Sequence, residues 1–270
     1  LIPAFPGMDG GKQGHWGNQN DQVTWKDGRF AASDLGTVFS TVFKGAGITI
    51  PKGVCVHVKG KGEVATCFDP TTLSFPIVWS GGFVKLNDNR HGFMGGGQMD
   101  GKVVETLDSY KKQPPSGRYR GFYRRNDTVV FSYDVNGEEV LDMVWCDGGP
   151  ERITAPRKKH PFRNYLVLPA QWPQWIETKG ELGAQTPFAT DRITIPFENP
   201  HGTLFFITAH DFFSDGTAAI ATMTGEVWLV KGIDEKLEKL RWKRFATGLH
   251  QPLGMKIVKD KLFVLGRERH

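Results

Sequence analysis

The sequence predicts an all-β fold, in which a β-rich, sandwich-like N-terminal domain is followed by the start of a β-propeller. Three observations support this class. Glycine and proline are frequent, with 33 and 16 residues in a chain of 270. Aromatic residues make up 12% of the chain. Short apolar runs recur between turn residues, a pattern typical of many short strands and not of helix bundles.

The N-terminal 36 residues have the composition of an ordered loop, with glycine, amides and tryptophan but little periodicity. The segment "GHWGNQND" places His15, Trp16, Asn18 and Asp21 together, and Trp25 follows. An indole offers a flat apolar face to a sugar ring, and polar side chains can hydrogen-bond the sugar hydroxyls. We therefore consider these residues as a carbohydrate-binding loop. The alternative is structural, with Trp16 packed beneath the loop and the amides capping turns.

A hairpin is predicted over "GVCVHVKGKGEVATCF", residues 53–68, because the residues alternate with a period of two. Folding it about Lys61 gives the cross-strand pairs Lys59–Glu63, Val58–Val64, Val56–Thr66 and Val54–Phe68. Cys55 then faces Cys67. Directly opposed residues have Cβ atoms about 4.5–5.5 Å apart, so we predict a Cys55–Cys67 disulfide, which would indicate an oxidising compartment. Two reduced, buried cysteines are the alternative, and Cys146 is interpreted as a packing residue.

Residues 117–145 predict a three-stranded meander. Turn residues stand at 125–127 and at Asn136-Gly137, and Asn-Gly between alternating segments is the strongest short signal for a hairpin. Residues 150–200 are dotted with proline, and the rhythm of the chain changes after them. We place a boundary near residue 190, which gives an N-terminal domain of residues 1–190 and a second domain of residues 191–270.

The second domain predicts short strands at regular spacing. Turns stand at Ser214-Asp215-Gly216 and Thr224-Gly225, and the predicted strands are 218–223, 226–230, 255–258 and 262–265. Short strands with glycine or aspartate at the corners are typical of propeller blades, and this segment would supply about one and a half of them.

Two long stretches, "HDFFSDGTAAIATMTGEVWLVKGI" and "WKRFATGLHQPLGMKIVKDKLFVLGRERH", resemble the first blades of the glucose/sorbosone dehydrogenase-like propellers. "GKQGHWG", "WKDGRF" and "YRGFYRRNDTVVFSYDVNGEEVLD" resemble the uncharacterised domain that precedes the propeller in large secreted proteins of planctomycete and verrucomicrobial type. The resemblance implies a periplasmic or extracellular location and a sugar or alcohol dehydrogenase linked to pyrroloquinoline quinone (PQQ) or haem. Because such enzymes carry their catalytic and cofactor residues on further blades, we expect no cofactor within this chain. PQQ, calcium or haem would belong to a fuller protein.

Two sets of residues in the second domain are candidate ligands. "HDFFSD" offers His210, Asp211 and Asp215, and two carboxylates with an imidazole can hold a cation. The structural alternative is that Asp215, which precedes Gly216, closes a turn through its own side chain. His250 lies in the loop before a blade strand, where propellers place residues that face a ligand, and we consider it as ligand-binding.

The formal net charge of +5 can attract anionic polymers. Lysine and arginine are scattered, however, and no nucleic-acid-binding motif is present, so we expect no nucleic-acid partner. No apolar run approaches the roughly 18 residues of a spanning helix, so we expect no membrane span. The nucleophile elbow, the P-loop, the dinucleotide fingerprint and the HExxH motif are all missing from the sequence.

Three functional hypotheses follow. The first is a secreted recognition or scaffold module of a larger protein, with carbohydrate as its ligand. The second is part of a propeller oxidoreductase with a quinone or haem partner, and the third is a polysaccharide-active enzyme whose site lies between the two domains. A final strand without a partner would leave a row of unpaired backbone groups. We therefore expect Leu262–Leu265 to be covered by downstream propeller sequence, by another chain or by a second copy.

Overall fold

The structure is a computed structural model that describes residues 33–58, 63–86, 95–106, 116–125, 128–145, 151–161, 170–184, 186–203 and 205–267. In these residues the chain is almost entirely β, which confirms the predicted all-β class. Arg157–Lys159 form a 3₁₀ turn. No helix within these ranges is long and apolar enough to cross a membrane.

The first sheet contains the strands from residue 38 to residue 106. Their bounds are β1 Val38–Gly45, β2 Ile48–Val58, β3 Val64–Asp69, β4 Ser74–Ser80, β5 Val84–Lys85, β6 Gly97–Met99 and β7 Lys102–Thr106. Their order across the sheet is β5-β6-β1-β2-β3-β4-β7. The β1–β6 pair is parallel, and the neighbouring strands otherwise run antiparallel.

Two bends curl this sheet into a half-barrel. β4 continues into β5, and β6 continues into β7, although the members of each couple lie far apart in the sheet order. Glycines allow the bends because the backbones touch there: a Cβ on Gly82 would lie 2.5 Å from the carbonyl oxygen of Asp100. Gly101, with φ of +135°, sits in the same way against the carbonyl of Ser80. The curled sheet therefore has an inner face and an outer face.

Both faces of the β2–β3 hairpin are buried. The inner face contributes to a core around Cys55, Cys67 and Trp79, in which Trp79 stacks on Phe43 with ring centroids 5.2 Å apart. The outer face contributes Val54, Val56, Val58 and Phe68 to a second core. Successive residues of this hairpin point alternately to its two faces, and each face packs into a different core, so neither face is turned to solvent.

The second sheet covers the outer face of the first. It contains β8 Gly117–Arg125, β9 Thr128–Val135, β10 Glu138–Trp145 and β11 Glu151–Pro156, in the order β11-β10-β9-β8. The predicted meander is confirmed, and its Asn136-Gly137 turn has φ of +52° and +83°. Phe131 of β9 stacks on Phe68 of β3 with centroids 4.4 Å apart, so the two sheets pack face to face as a sandwich.

The third sheet contains the predicted strands 218–223 and 226–230 together with three further strands. It consists of β12 Ile176–Thr178, β13 Ile207–Phe212, β14 Ala218–Thr222, β15 Val227–Lys231 and β16 Leu240–Ala246, in the order β12-β16-β15-β14-β13. Trp228 and Trp242 lie in its core with Phe205. β12 precedes the boundary that we placed at residue 190 and yet pairs with β16, Ile176 opposite Trp242.

A separate hairpin of β17 Gly254–Val258 and β18 Lys261–Leu265 completes the described chain. β17 lies next to β13 without backbone pairing between them. The turn residues Lys259 and Asp260 both have positive φ, as a two-residue hairpin turn requires. Asp260 accepts hydrogen bonds from the backbone N–H and the hydroxyl of Ser214, at 2.8 and 2.6 Å, which anchors the hairpin to the third sheet.

The predicted register of the first hairpin is confirmed for the pairs that the structure describes. Cys55 lies opposite Cys67, and Val54 lies opposite Phe68. Lys59 lies outside the described residues. Both cysteines are buried free thiols in the structure, and burial together with the neighbouring Cys55 raises the pKa of the Cys67 thiol. The disulfide stays a prediction.

A substitution at Gly53 would test how tightly the core around Cys67 is packed. A Cβ at this position would lie 2.6 Å from Sγ of Cys67 and 3.0 Å from Cβ of Phe43. Under reducing conditions we expect Gly53→Ala to lower the free energy of unfolding by about 1–3 kcal/mol, because the site is overpacked. Adding Cys67→Ala should reduce that cost. Denaturant unfolding of both single variants and the double variant measures the coupling, and strictly additive costs would show that the sulfur is not the obstacle.

Candidate functional site

A wide cleft lies between the second sheet and the β17–β18 hairpin. It is an open groove of about 1050 Å³. Its lining residues are Arg118, Tyr119, Arg120, Gly121, Phe122, Leu249, Gly254, Met255, Lys256, Phe263, Val264, Leu265 and Gly266. Residues 118–122 belong to β8 and residues 263–266 run along β18, so each wall of the groove is a strand. We refer to it as the β8–β18 groove.

A β-bulge shapes the β8 wall. Tyr119 pairs with Tyr133 and Gly121 pairs with Ser132, which leaves Arg120 as the extra residue. The bulge reverses the alternation, so that Tyr119 and Phe122 both reach the core, with centroids 5.3 Å from Phe68 and 6.1 Å from Phe131. Arg118 and Arg120 remain exposed on this wall.

Three cations line the groove, and two of them have carboxylate partners. Nε of Arg120 lies 2.8 Å from a carboxylate oxygen of Asp134, which raises the pKa of the arginine. Nζ of Lys256 lies 2.8 Å from Asp211. Arg118 has no ion-pair partner among the residues that the structure describes. The described lining contains no carboxylate, imidazole, thiol, serine or threonine, so its electrostatic character is positive.

The β18 wall is apolar and exposed. Phe263 is 57% exposed and Leu265 is 48% exposed, values that are unusual for large hydrophobic side chains. With the cationic β8 wall opposite, this surface suits an extended ligand that is acidic on one side and apolar on the other.

The proposed cation ligands His210, Asp211 and Asp215 have other partners in the structure. Asp211 accepts hydrogen bonds from Lys256 and from the backbone N–H of Ile257, which hold its pKa down at about 2. Asp215 accepts the backbone N–H of Thr217 at 2.9 Å, as the structural alternative predicts. Within the described ranges, no cluster of three or more His, Cys, Asp or Glu side chains is arranged to hold a metal ion.

His250 is buried beside the groove, in the loop that also contributes Leu249 to its lining. Desolvation lowers the pKa of its imidazole to about 4, and the positive charges of Arg267 and Lys52 act in the same direction. Its carbonyl accepts the backbone N–H of Arg267 at 2.7 Å. His15, Trp16, Asn18, Asp21 and Trp25 lie outside the described residues.

A buried ion cluster joins the sheets behind the groove, and its centre is Arg244, with a side chain only 1% exposed. One guanidinium nitrogen donates to a carboxylate oxygen of Asp34 at 2.7 Å, and the other lies 2.6 Å from Glu226 and also bonds the carbonyl of Asp34. Glu226 accepts further hydrogen bonds from Thr203 at 2.9 Å and from the indole N–H of Trp228 at 3.3 Å. Arg244 and Glu226 are almost closed to solvent while the side chain of Asp34 is 44% exposed, and the burial of the central pair favours a structural role.

Trp172 extends the cluster to the second sheet. Its ring lies between two guanidinium groups, with Cζ of Arg244 and Cζ of Arg124 each 5.0 Å from the ring centroid. Arg124 belongs to β8 and also donates to the hydroxyl of Thr247 at 3.2 Å. The hydrogen bond with His201 and the charge of Arg244 together hold the pKa of Asp34 well below its usual range.

Neither the groove nor the ion cluster was identified from the sequence. "GRYRGFYRR" alternates arginine with aromatic residues, which is the signal of a strand with one cationic face. In "LRWKRFA" the period of two places Arg244 on the same face as Leu240 and Trp242. A charge on an otherwise apolar strand face indicates a buried partner.

The fold is all-β, and the groove is a cationic surface with two strand walls. A family model described as "Domain of unknown function (DUF6797)" matches residues 66–142. The matched stretch runs from β3 to β10 and includes the β8 wall of the groove. No curated protein and no solved structure matches the chain.

We expect Arg244→Met to destabilise the protein strongly. Methionine fills the apolar part of the site but leaves Glu226 buried without its cation, and breaking one partner of a buried ion pair typically costs about 3–5 kcal/mol. Arg241→Met is the matched control on the same strand, because Arg241 is largely solvated and its loss should cost at most about 1 kcal/mol. Chemical denaturation compares the two variants, and equal losses would contradict a central role for Arg244.

His250 should make stability depend on pH. Because its folded-state pKa of about 4 lies below the ordinary value of 6.5, the unfolded chain takes up the proton first as pH falls. Stability should therefore decrease from about pH 6.5 to 4 and show no further loss from this group below that range. His250→Gln should flatten the decrease in Tm, whereas the same change at exposed His210 should leave it intact. An unaltered profile in His250→Gln would assign the pH dependence to other groups.

Proposed function

We propose that the chain is a recognition or scaffold module of a larger secreted protein, and that it acts by binding an extended ligand in the β8–β18 groove. The observation that carries this proposal is the groove lining, which combines two strand walls and three cations with no described carboxylate, thiol, serine, threonine or imidazole. Most glycoside hydrolases use two carboxyl groups, one on either side of the glycosidic bond. The described lining offers none, which favours binding over cleavage.

Acidic carbohydrate is the first ligand class that we propose for testing. Arg118, Arg120 and Lys256 can pair with carboxylate or sulfate groups along a polysaccharide, and the exposed ring of Phe263 offers an apolar surface. The net charge of +5 favours the approach of such a polymer.

A second candidate function follows from the third sheet. β13 to β16 form an antiparallel meander of four strands, and the β17–β18 hairpin then begins a new sheet beside it. This arrangement supports the proposal that residues 207–267 are the first blade and the start of the second blade of a glucose/sorbosone dehydrogenase-like propeller. The chain would then be part of a sugar or alcohol oxidoreductase with PQQ, calcium or haem bound elsewhere. A quinone or haem absorbance in the natural, full-length product would support this candidate.

Polygalacturonate and its methyl ester distinguish charge recognition from general adhesion, because they differ only in whether the carboxyl groups are free. In native gels containing each polymer, we expect the free acid to retard the full chain and the ester to leave its mobility unchanged. Arg118→Gln with Lys256→Gln should weaken the retardation roughly tenfold. Arg192→Gln with Lys239→Gln is the control, since both cations lie outside the groove and have their own acidic partners.

The chain length of the polygalacturonate after incubation with the protein distinguishes binding from cleavage. An unchanged length supports a recognition module, and a shortened polymer would replace that proposal with a polysaccharide-active enzyme. Equal retardation by the ester would remove acidic carbohydrate as the ligand class.

A further inference from the structure

A row of ion pairs crosses the face of the second sheet that points away from the first. Asp134 of β9 and Glu139 of β10 lie directly opposite each other on this face. Like charges in such a position destabilise a sheet, so each carboxylate needs a cation beside it. Nε of Arg120 lies 2.8 Å from Asp134, and Nη1 of Arg157 lies 2.8 Å from Glu139. The row therefore runs from a residue that lines the groove to the 3₁₀ turn that follows β11.

The arginines are the outer members of these pairs. The side chains of Arg120 and Arg157 are 55% and 38% exposed, whereas those of Asp134 and Glu139 are 23% and 25% exposed. Hydrogen bonds from Ser132 and Arg157 lower the pKa of Glu139, and the charge of Arg120 acts in the same direction. Glu139 therefore stays ionised beneath a guanidinium group, and the surface turns its positive groups to solvent.

The row ends in a basic turn. Arg157 is followed by Lys158 and Lys159, and both lysines are exposed. The ring of Tyr123, which is 38% exposed, lies beside Arg157, with Cζ of the guanidinium 5.9 Å from the ring centroid. An exposed tyrosine ring offers an apolar face to a sugar. On this surface the described cations outnumber the carboxylates of the row; the cations are Arg118, Arg120, Arg157, Lys158 and Lys159.

The groove and the basic turn lie too far apart for one small anion to contact both. Neighbouring strands are about 4.8 Å apart, so β8 and β10 are separated by roughly 10 Å, and Arg157 lies against β10. A polymer with a carboxylate on each sugar ring can contact both places at once. Two linked contacts raise the affinity of a long chain without any new interaction at either place.

We infer that the basic turn Arg157–Lys159 is a second anion subsite, which binds the same acidic polysaccharide chain that occupies the β8–β18 groove. This inference rests on the proposed recognition function and deepens it, because it predicts that the protein prefers long acidic chains to short ones. Glu139 holds Arg157 in place, and Lys158 and Lys159 supply the positive charges that pair with carboxylate or sulfate groups.

Two galacturonate ligands of different length test the inference on the full chain. Digalacturonate is too short to reach both subsites, whereas an oligomer of twelve units can reach both. We expect Lys158→Gln with Lys159→Gln to weaken binding of the twelve-unit oligomer by about tenfold or more and to leave binding of digalacturonate in the groove unchanged. Titrations followed by NMR chemical shifts measure both affinities.

Lys236→Gln with Lys239→Gln is the matched control, because it removes the same charge from an exposed loop of the third sheet. Both ligands should bind this control as they bind the wild-type chain. In the wild type, the twelve-unit oligomer should also protect Lys158 and Lys159 from acetylation, whereas Lys236 should stay reactive. Peptide mass spectrometry measures the acetylation of each lysine.

The outcomes separate this inference from the proposed function. If the twelve-unit oligomer binds the variant of Lys158 and Lys159 as well as the wild type, or does not protect these lysines, the turn is not a subsite while binding in the groove stands. If the variant loses affinity equally for both ligands, or if the control loses as much, the effect does not come from a second subsite and the inference is wrong. If neither ligand binds the wild type, recognition of acidic carbohydrate falls and this inference falls with it.

Discussion

The buried guanidinium of Arg244 is the constraint on which the arrangement of the three large sheets depends. It bonds Asp34, which lies four residues before β1 of the first sheet, and Glu226, which immediately precedes β15. Through the ring of Trp172 it also meets Arg124 of the second sheet. Removing such a charge from water costs several kcal/mol, which close partners must offset. The segments that carry Asp34, Glu226 and Trp172 must therefore all lie next to Arg244, and this requirement fixes the relative positions of the sheets.

The groove is a consequence of this fixed junction. Arg124 lies on the same strand as Arg118 and Arg120, so the contact with Trp172 and Thr247 sets the position of the β8 edge. The loop that follows Thr247 leads into β17, and Asp260 holds the far end of the hairpin against Ser214. Both walls are thus attached to the third sheet at defined points. A binding surface between separate sheets needs attachments of this kind if its shape is to be constant.

The sequence predicts local features of this protein well and long-range features poorly. The β2–β3 register follows from a period of two, because a one-residue slip would exchange the contents of the two cores that Cys55 and Val54 occupy. The turn at Asn136-Gly137 follows from the conformational preference of these two residues for positive φ, which depends little on the rest of the fold. Asp34 and Arg244, in contrast, are 210 residues apart, and no local pattern assigns one to the other. The same holds for β12, a strand of three residues that exists because β16 offers it an edge.

The candidate site shows why the chemistry of a groove is harder to predict than its fold. The acidic residues that looked like ligands in the sequence, Asp211 and Asp215, serve the turn and the hairpin around them. Asp211 pairs with Lys256 but is not itself a lining residue of the groove. The carboxylate therefore holds a cation of the groove in place without adding negative charge to the lining. With the neighbouring described carboxylates used to position its walls, the surface retains positive charge together with exposed apolar area. Those two properties favour association with a ligand that brings its own acidic groups.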